Sequence, residues 1–460
     1  MKKSRIELME SEPVRTAILR LALPTMLAMG IQLIYNLTDT YFIGQTGDPT
    51  LVAGISFASP IFMLIHTIGN IFAIGSASYI SRKLGEHDYE EAKRACSVAV
   101  YSAVILGLVI TAAVVLFISP LMNMLGASPT IYKPTRDYLM IIGASSVILI
   151  LQVVLAGLIR SEGATGKAMV GMIIGIVLNI ILDPIFILVF NMGTAGAAWA
   201  TVIGALAGLI YFAVHLLSPG TMLSILPKDF KPTKTIYFET LKIGLPSALS
   251  SLVMTISSIL VNRLIIGYGD FVVAGNGVQM RVSSMFFLFI LGLSQGYQPF
   301  AGYNYGARKF DRLLSGYKTT LLYSTILALI FTPMFFFFAR DMISLFINDP
   351  QTIEAGAKMN RAFIIAVPFI GIQFTQMVTF QATGKALKAM TISLGRQCLL
   401  YIPLLFTLNH FFGFDGFIYA QPIADILTTG LALAFSASFI KELRKLHSET
   451  PEQETVKTEA

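Results

Sequence analysis

An aspartate lies inside the first long apolar stretch of this chain, in the segment IQLIYNLTDTYFIG at residues 31–44. Gln32, Asn36 and Asp39 follow positions i, i+4 and i+7, so they share one face of a helix. Tyr35 stands beside them. Because a charged carboxylate at the centre of a bilayer costs about 2.5–3.5 kcal/mol or more, we expect this polar face to turn toward a cavity or partner helices. Its carboxyl is then a candidate for binding a proton or a small cation.

A second acidic residue lies in the apolar segment LNIILDP, which forms the fifth predicted span. Asn179 and Asp183 are four residues apart, so the amide and the carboxyl share a helix face. Pro184 has no N–H to donate to the carbonyl of Ile180, which predicts a bend and a candidate hinge there. Thr201 stands at the entry to the sixth span and adds a hydroxyl.

Asp39, Asp183 and Thr201 are predicted to lie at one depth in the membrane. Each is about seven or eight residues from a short polar loop, which places it roughly 10–12 Å below the end of its helix. Two carboxyls in one dry pocket cannot both ionise cheaply, so the pair could hold H⁺ or a cation such as Na⁺. The alternative is structural: a membrane aspartate can satisfy a kinked helix, and Asn179 and Thr201 can make ordinary interhelical hydrogen bonds.

The elements that must position these side chains are membrane helices. Of the 460 residues, 55% are hydrophobic and only 13% are charged, about half the charge of a soluble domain. Apolar stretches of roughly 20 residues recur along the chain, which is the length that crosses a bilayer. The sequence therefore predicts an all-α polytopic membrane protein with about twelve spans, at 15–44, 52–82, 92–120, 130–159, 167–190, 195–217, 237–267, 271–304, 312–340, 352–382, 386–411 and 415–442.

Basic residues concentrate in alternate connections between the predicted spans. Arg82 and Lys83 follow the second span, and Lys228 and Lys231 follow the sixth, whereas the intervening connections are short and poorer in Lys and Arg. The positive-inside rule therefore predicts a multi-pass protein of the inner (cytoplasmic) membrane with both termini in the cytoplasm. It also accounts for much of the net charge of +7, so a nucleic-acid partner is not predicted.

The two halves of the sequence resemble one another. ATGKA occurs at 164–168 and again at 382–386, and GTAGAAWAT at 193–201 matches GFDGFIYAQ at 413–421 in its glycine spacing. Each repeat holds about six spans, so both copies begin on the same side of the membrane. Parallel repeats around a central cleft are typical of transporters. The predicted division is an N-lobe at 1–217, a cytoplasmic linker at 218–236, a C-lobe at 237–445 and a disordered tail at 446–460.

The second repeat lacks the acidic pair. Val261 stands at the position of Asp39, and Asp425 is the only carboxyl well inside the predicted spans of this half. Four arginines lie in these spans, at Arg263, Arg281, Arg361 and Arg396. Arg263 could extend outward to the interface, and the others could pair with Asp425 or with backbone carbonyls. If they face the cleft instead, substrates with an anionic part become plausible. The candidates for lining the cleft are Gln32, Tyr35, Asn36, Gln279, Arg281 and Asp425.

Several segments resemble the multidrug and toxic compound extrusion (MATE) family, in its bacterial multidrug-efflux branch. They include LALPTMLAMGIQLIYNLTDTYFIG, SYISRKLGEHDYEEAKR and RSEGATGKAMVGMIIGIVLNIILDPIFI. The resemblance implies a secondary antiporter that exports drug-like, often cationic, compounds in exchange for H⁺ or Na⁺, without a cofactor and without enzymatic activity. It also implies a cation site at Asp39, Asn179, Asp183 and Thr201. Some sodium-coupled members use acidic residues of the seventh and tenth helices, which this chain lacks at depth.

The sequence thus predicts a monomeric exporter in the lipid bilayer that works by alternating access on small organic molecules. The first helix would rearrange near Pro24, the second candidate hinge. Two alternatives stay open. A flippase of a lipid-linked or amphipathic metabolite is disfavoured by the span count, and an ion channel would show uncoupled conductance. No catalytic constellation and no phosphate-binding glycine motif favour an enzyme or direct coupling to ATP.

Overall fold

The computed structural model describes the backbone of residues 2–126 and 128–458 and the side chains of 5–35, 38, 41–126 and 128–448. Within these ranges every regular element is helical, so the predicted all-α class is confirmed. The side chains of Asn36 and Asp39, two of the predicted site residues, lie outside the described residues.

Seventeen α-helices follow one another along the described chain. Those of the first half are α1 (Lys2–Glu10), α2 (Val14–Gly44), α3 (Pro49–Gly85), α4 (Tyr89–Leu116), α5 (Ile118–Leu125), α6 (Pro129–Ala144), α7 (Ser146–Ser161), α8 (Thr165–Pro184) and α9 (Gly193–Leu217). Those of the second half are α10 (Lys234–Ile265), α11 (Asp270–Gly306), α12 (Phe310–Phe337), α13 (Ala339–Ser344), α14 (Pro350–Ile364), α15 (Val367–Ala382), α16 (Ala386–Leu394) and α17 (Tyr401–Thr458). A π turn follows α8 at Ile185–Val189, and another follows α16 at Gly395–Leu399.

Nine of the described helical stretches are long and apolar enough to cross a membrane. Two further spans are bent pairs, α6 with α7 at 56° and α14 with α15 at 51°. The stretch Ala386–Ser448 is 63 residues long and breaks at Gly413, where φ is 56° and ψ is −134°. That left-handed conformation is open to glycine and strained for other residues. Counting the segments on each side of Gly413 separately gives twelve spans, the predicted number.

The chain divides into two compact units whose borders fall inside helices. The first unit comprises Met1–Ser11 and Leu27–Ala248, and the second comprises Glu12–Met26 and Leu249–Ala460. The borders lie in α2 and α10, in each case two residues after an internal proline, Pro24 or Pro246. The sequence instead places the lobe boundary in the linker at 218–236, and that boundary stays a prediction.

The linker segment belongs to the first unit and packs against α4. Ser97 Oγ of α4 donates to the carbonyl of Leu226 at 3.1 Å, and the Tyr101 hydroxyl donates to the carbonyl of Ile225 at 3.3 Å. Met222 is buried. Helix α17 continues as far as Thr458 in the described backbone, and the disordered tail at 446–460 stays a prediction.

Aspartates cap two helices outside the apolar spans. Asp48 accepts hydrogen bonds from the hydroxyl and the backbone N–H of Thr50 at the start of α3, and Asp349 does the same with Thr352 at the start of α14. These bonds favour the ionised carboxylate, so the pKa of each aspartate is lowered from its ordinary value. Both caps satisfy backbone donors that a helix start leaves open.

Candidate functional site

The polar residues of the fifth and sixth spans are positioned by an unusually close helix crossing. Helix α8 carries the segment GMIIG at 171–175, and α9 carries GALAG at 204–208. A Cβ added at Gly204 would lie 2.5 Å from the carbonyl oxygen of Gly175, and one at Gly208 would lie 2.8 Å from that of Gly171. Two facing small-xxx-small motifs therefore let the two backbones touch, a packing typical of membrane helices.

This crossing brings Asn179 of α8 to Thr201 of α9. The Asn179 Nδ2 donates to Thr201 Oγ1 at 3.4 Å, and Thr201 Oγ1 donates to the carbonyl of Ala197 at 2.9 Å. Asn179 is only 3% exposed. No residue that the structure describes donates a hydrogen bond to its Oδ1. A buried acceptor without a donor is costly, and an amide oxygen in that position is suited to a bound cation.

Asp183 lies one turn after Asn179 on α8 and is fully buried. Pro184 follows it, and the π turn Ile185–Val189 begins directly after the proline. The turn is closed by the Phe190 N–H, which donates to the carbonyl of Ile185 at 2.9 Å. The predicted disturbance at Pro184 therefore takes the form of a wider helical turn, a feature often found at functional sites. A buried carboxyl thus stands next to the buried amide.

The remaining residues predicted for this half lie on α2. Gln32, Tyr35 and Pro24 are each half-buried. Asp39, the fourth member of the predicted cation site, and Asn36 belong to the same helix, but their side chains lie outside the described residues. Convergence of Asp39 with the residues of α8 and α9 stays a prediction. In the described ranges, no group of three or more His, Cys, Asp or Glu side chains could hold a metal ion.

The glycine crossing leads to a first testable prediction. Gly204→Ala places a methyl group against the Gly175 backbone and should destabilise the protein by about 1–3 kcal/mol, because backbone cannot yield as a side chain can. The matched control is Gly430→Ala in α17, where no atom lies within 4 Å of the added Cβ. The control should be neutral or slightly stabilising. Thermal unfolding of the purified variants in detergent checks both, and equal melting temperatures would contradict the prediction.

The second unit contains a buried ion pair in its equivalent region. The Asp425 carboxylate on α17 is fully buried, and its Oδ1 accepts from Arg396 Nε at 2.8 Å and from Gln421 Nε2 at 3.3 Å. The pairing of an interior arginine with Asp425, one of the options that the sequence left open, is therefore observed. Arg396 lies in the π turn Gly395–Leu399. Arg361 pairs instead with a backbone carbonyl, the second option: its Nε donates to the carbonyl of Phe336 at 3.4 Å.

A cavity of about 370 Å³ opens beside Arg396 within the second unit. Gln279, a predicted cleft residue, lines it, and its Nε2 donates to Ser283 Oγ at 2.6 Å. Asp425 does not line the cavity but lies behind Arg396. Arg281 is two positions after Gln279, so it projects from nearly the opposite side of α11 and is exposed. The structure therefore brings Gln279 and Arg396 to one cavity and leaves Arg281 outside it.

Two phenylalanines that the sequence does not single out hold Arg396 in place. The guanidinium carbon lies 5.6 Å from the centre of the Phe287 ring and 5.5 Å from that of Phe374. Both distances are within the range of a cation–π contact. Among 33 phenylalanines, no local signal distinguishes these two from ordinary apolar packing, which explains why sequence reasoning missed them.

Comparison with known proteins gives consistent matches. The sequence model of the MatE family matches residues 24–185 and again 246–407, so the second match begins and ends 222 residues after the first. Multidrug export protein MepA of Staphylococcus aureus (strain NCTC 8325 / PS 47) is 31% identical over 427 residues, covering 93% of this chain and 94% of the relative. MepA of Staphylococcus saprophyticus is 30% identical over 427 residues, again covering 93% of this chain and 94% of the relative.

Solved structures of similar proteins share the fold. One is the outward-facing conformation of a multidrug resistance MATE family transporter of the MOP superfamily, with a TM-score of 0.91 and 26% identity over 96% of this chain and 98% of that one. Another is a MOP superfamily transporter from Pyrococcus furiosus, described as having a binding pocket of reverse polarity. Its TM-score is 0.90 with 26% identity, over 95% of this chain and 98% of that one.

Proposed function

The chain belongs to the MatE family, and we propose that it is a secondary antiporter that exports drug-like organic compounds across the cytoplasmic membrane in exchange for H⁺ or Na⁺. It is a multi-pass membrane protein, whose described residues form nine long apolar helical stretches and two bent pairs, or twelve spans when the two segments around Gly413 are counted separately. The observation that carries the proposal is the full-length similarity to multidrug export proteins, joined to a family match in each half. Members of this family are transporters and not enzymes, and they need no cofactor.

The proposed coupling site consists of Asp39, Asn179, Asp183 and Thr201. Its support is the burial of Asp183, the amide–hydroxyl contact between Asn179 and Thr201, and the Asn179 Oδ1 that accepts from no described donor. Oxygen atoms of these types suit a hard cation such as Na⁺. A carboxyl can equally take up a proton, and in a dry environment it does so more readily than in water.

Exchange requires only that the cation and the drug exclude one another. Binding of H⁺ or Na⁺ would neutralise Asp39 and Asp183 and favour a conformation with low affinity for the substrate, and by linkage the substrate would disfavour the cation. We place the accompanying rearrangement near Pro24 on α2. The border between the two compact units falls two residues after this proline, which supports a hinge at this point.

Three further features belong to the proposal. The alternation of basic connections supports cytoplasmic termini. We infer a monomer, with the N-lobe and the C-lobe joined through 218–236. The substrates are small organic molecules, among them cations, which would balance the carboxylates of the first unit.

Transport in proteoliposomes tests the proposal. Purified protein is reconstituted, and ethidium flux is measured under an imposed pH gradient and then under a sodium gradient alone. We expect export with one of the two gradients. Asp39→Asn should abolish coupled export while leaving membrane insertion intact. The amide cannot take up a proton, and it carries no negative charge to balance a cation. Full transport by this variant would overturn the coupling mechanism, and absence of wild-type flux under both gradients would overturn the proposed function.

A further inference from the structure

The cavity of the second unit has an arginine at its wall whose hydrogen-bonding capacity is only partly used. A guanidinium has five N–H donors. Arg396 donates its single Nε–H to Asp425 Oδ1. In the part of the chain that the structure describes, no acceptor pairs with Nη1 or Nη2, and no donor pairs with Asp425 Oδ2. The ion pair therefore rests on a single hydrogen bond, and four N–H groups of Arg396 remain for another partner.

Two aromatic rings flank the guanidinium. Phe287 and Phe374 lie 5.6 Å and 5.5 Å from the guanidinium carbon, and their own rings meet edge-on at 5.1 Å and 88°. The N–H groups of a guanidinium lie in its own plane, so a further partner would meet the Nη edge. The in-plane edge of a guanidinium matches the two oxygens of a carboxylate, which it binds through two parallel hydrogen bonds.

The backbone supports the same orientation. Arg396 is the second residue of the π turn Gly395–Leu399, which the Leu400 N–H closes by donating to the carbonyl of Gly395 at 3.1 Å. The Ser257 hydroxyl donates to the carbonyl of Gln397 at 2.6 Å and fastens this turn to α10. Wider helical turns of this kind are frequent at functional sites. The arginine is thus held by backbone, by aromatic rings and by Asp425 before any ligand arrives.

The rest of the cavity suits an aromatic molecule. Its volume of about 370 Å³ is within the range of small-molecule sites. Met254, Met280, Met359, Phe363 and Phe417 provide its apolar lining. Methionine adapts its shape and contacts aromatic rings favourably. One positive group at the wall of a mostly apolar chamber selects compounds with an apolar body and one anionic end.

We propose that this cavity binds aromatic compounds that carry a carboxylate. The carboxylate would accept hydrogen bonds from the Nη edge of Arg396, and the aromatic body would lie among the methionines and phenylalanines. Asp425 positions the guanidinium through Nε and partly offsets its charge, so it weakens anion binding while it orients the arginine. The inference rests on the proposed function, since it adds a substrate class to the same exporter.

Ligand binding by the full chain in an uncharged detergent tests this assignment. Equilibrium dialysis at neutral pH compares 2-naphthoate with 2-naphthamide, which has the same ring system and no charge. The wild-type protein should bind the carboxylate about tenfold more tightly, the ratio that one or two charge-assisted hydrogen bonds provide. The double variant R396Q/D425N removes both charges without leaving either one unpaired, so it should fold. It should retain amide binding and show no preference for the carboxylate.

For the single variant D425N we expect the affinity for 2-naphthoate to change in the opposite direction. This variant frees the arginine charge and should strengthen 2-naphthoate binding several-fold relative to the wild type. If the ratio of the two affinities is the same in the wild type and R396Q/D425N, or if D425N weakens carboxylate binding, the inference is wrong and the pair is structural. The flux assay tests the proposed function separately. If the protein moves no ethidium under either gradient but binds 2-naphthoate through Arg396, the proposed function is wrong and the binding site is still supported.

Discussion

Asp183→Asn should reduce gradient-driven export to the level of liposomes without protein. The side chain is fully buried on α8, one turn after the buried amide of Asn179. Asparagine has nearly the same shape, so the packing persists, but it can neither take up a proton nor balance a cation. We expect a loss of at least about tenfold, since the gradient would no longer favour one direction of transport. Ethidium flux in proteoliposomes measures the effect.

Two comparisons separate a coupling role from damage to the protein. Asp415→Asn changes an exposed aspartate that pairs with Lys358, and this variant should export at the wild-type rate. Asp183→Asn should still exchange labelled for unlabelled substrate without any gradient, because exchange needs no cation movement. Export by Asp183→Asn at the wild-type rate would show that this carboxyl takes no part in coupling. Loss of exchange together with export would point to a structural role instead.

Composition and hydropathy were sufficient to predict the fold class and the number of spans. Apolar length alone identifies a bilayer-spanning segment, and matching glycine patterns reveal the repeat that the two family matches confirm. A change of helix direction inside an apolar stretch leaves no such signal in the sequence. The spans predicted at 130–159 and 352–382 are bent pairs with angles of 56° and 51°. Hydropathy averages over the residues at the bend and so cannot show it.

Helical spacing predicted that Asn179 and Asp183 share one face of α8, and the structure brings Asn179 of α8 to Thr201 of α9. The common depth of Asp39, Asp183 and Thr201 stays a prediction. The two small-xxx-small motifs behind this contact are visible in the sequence and would have predicted the pairing of α8 with α9. The environment of Arg396 was not predictable. It depends on a one-residue widening of a helix and on contacts with Phe287 and Phe374 from other helices.

A buried glutamate in the first unit connects three segments that are distant in sequence. Glu162 follows α7 and is fully buried. Its Oε1 accepts from Arg5 of α1 at 2.5 Å and from His215 of α9 at 3.0 Å. Its Oε2 accepts from the Thr221 hydroxyl at 2.9 Å and from the backbone N–H of Met222 at 2.8 Å. Both carboxylate oxygens are therefore used, and the amino-terminal helix and the linker segment are fastened to the same point.

Glu162→Ala should lower the free energy of unfolding by about 3–5 kcal/mol, because it leaves Arg5 nearly buried without its counter-charge and removes acceptors from three other donors. The apparent melting temperature in detergent should fall by roughly 5 °C or more. Glu162→Gln keeps acceptor oxygens and should lose less. The surface control Glu86→Ala breaks an exposed pair with Lys83, which is worth about 0–1 kcal/mol. If Glu162→Ala unfolds at the same temperature as Glu86→Ala, the amino-terminal helix and the linker are held by apolar packing, with Met9 and Met222 as the buried anchors.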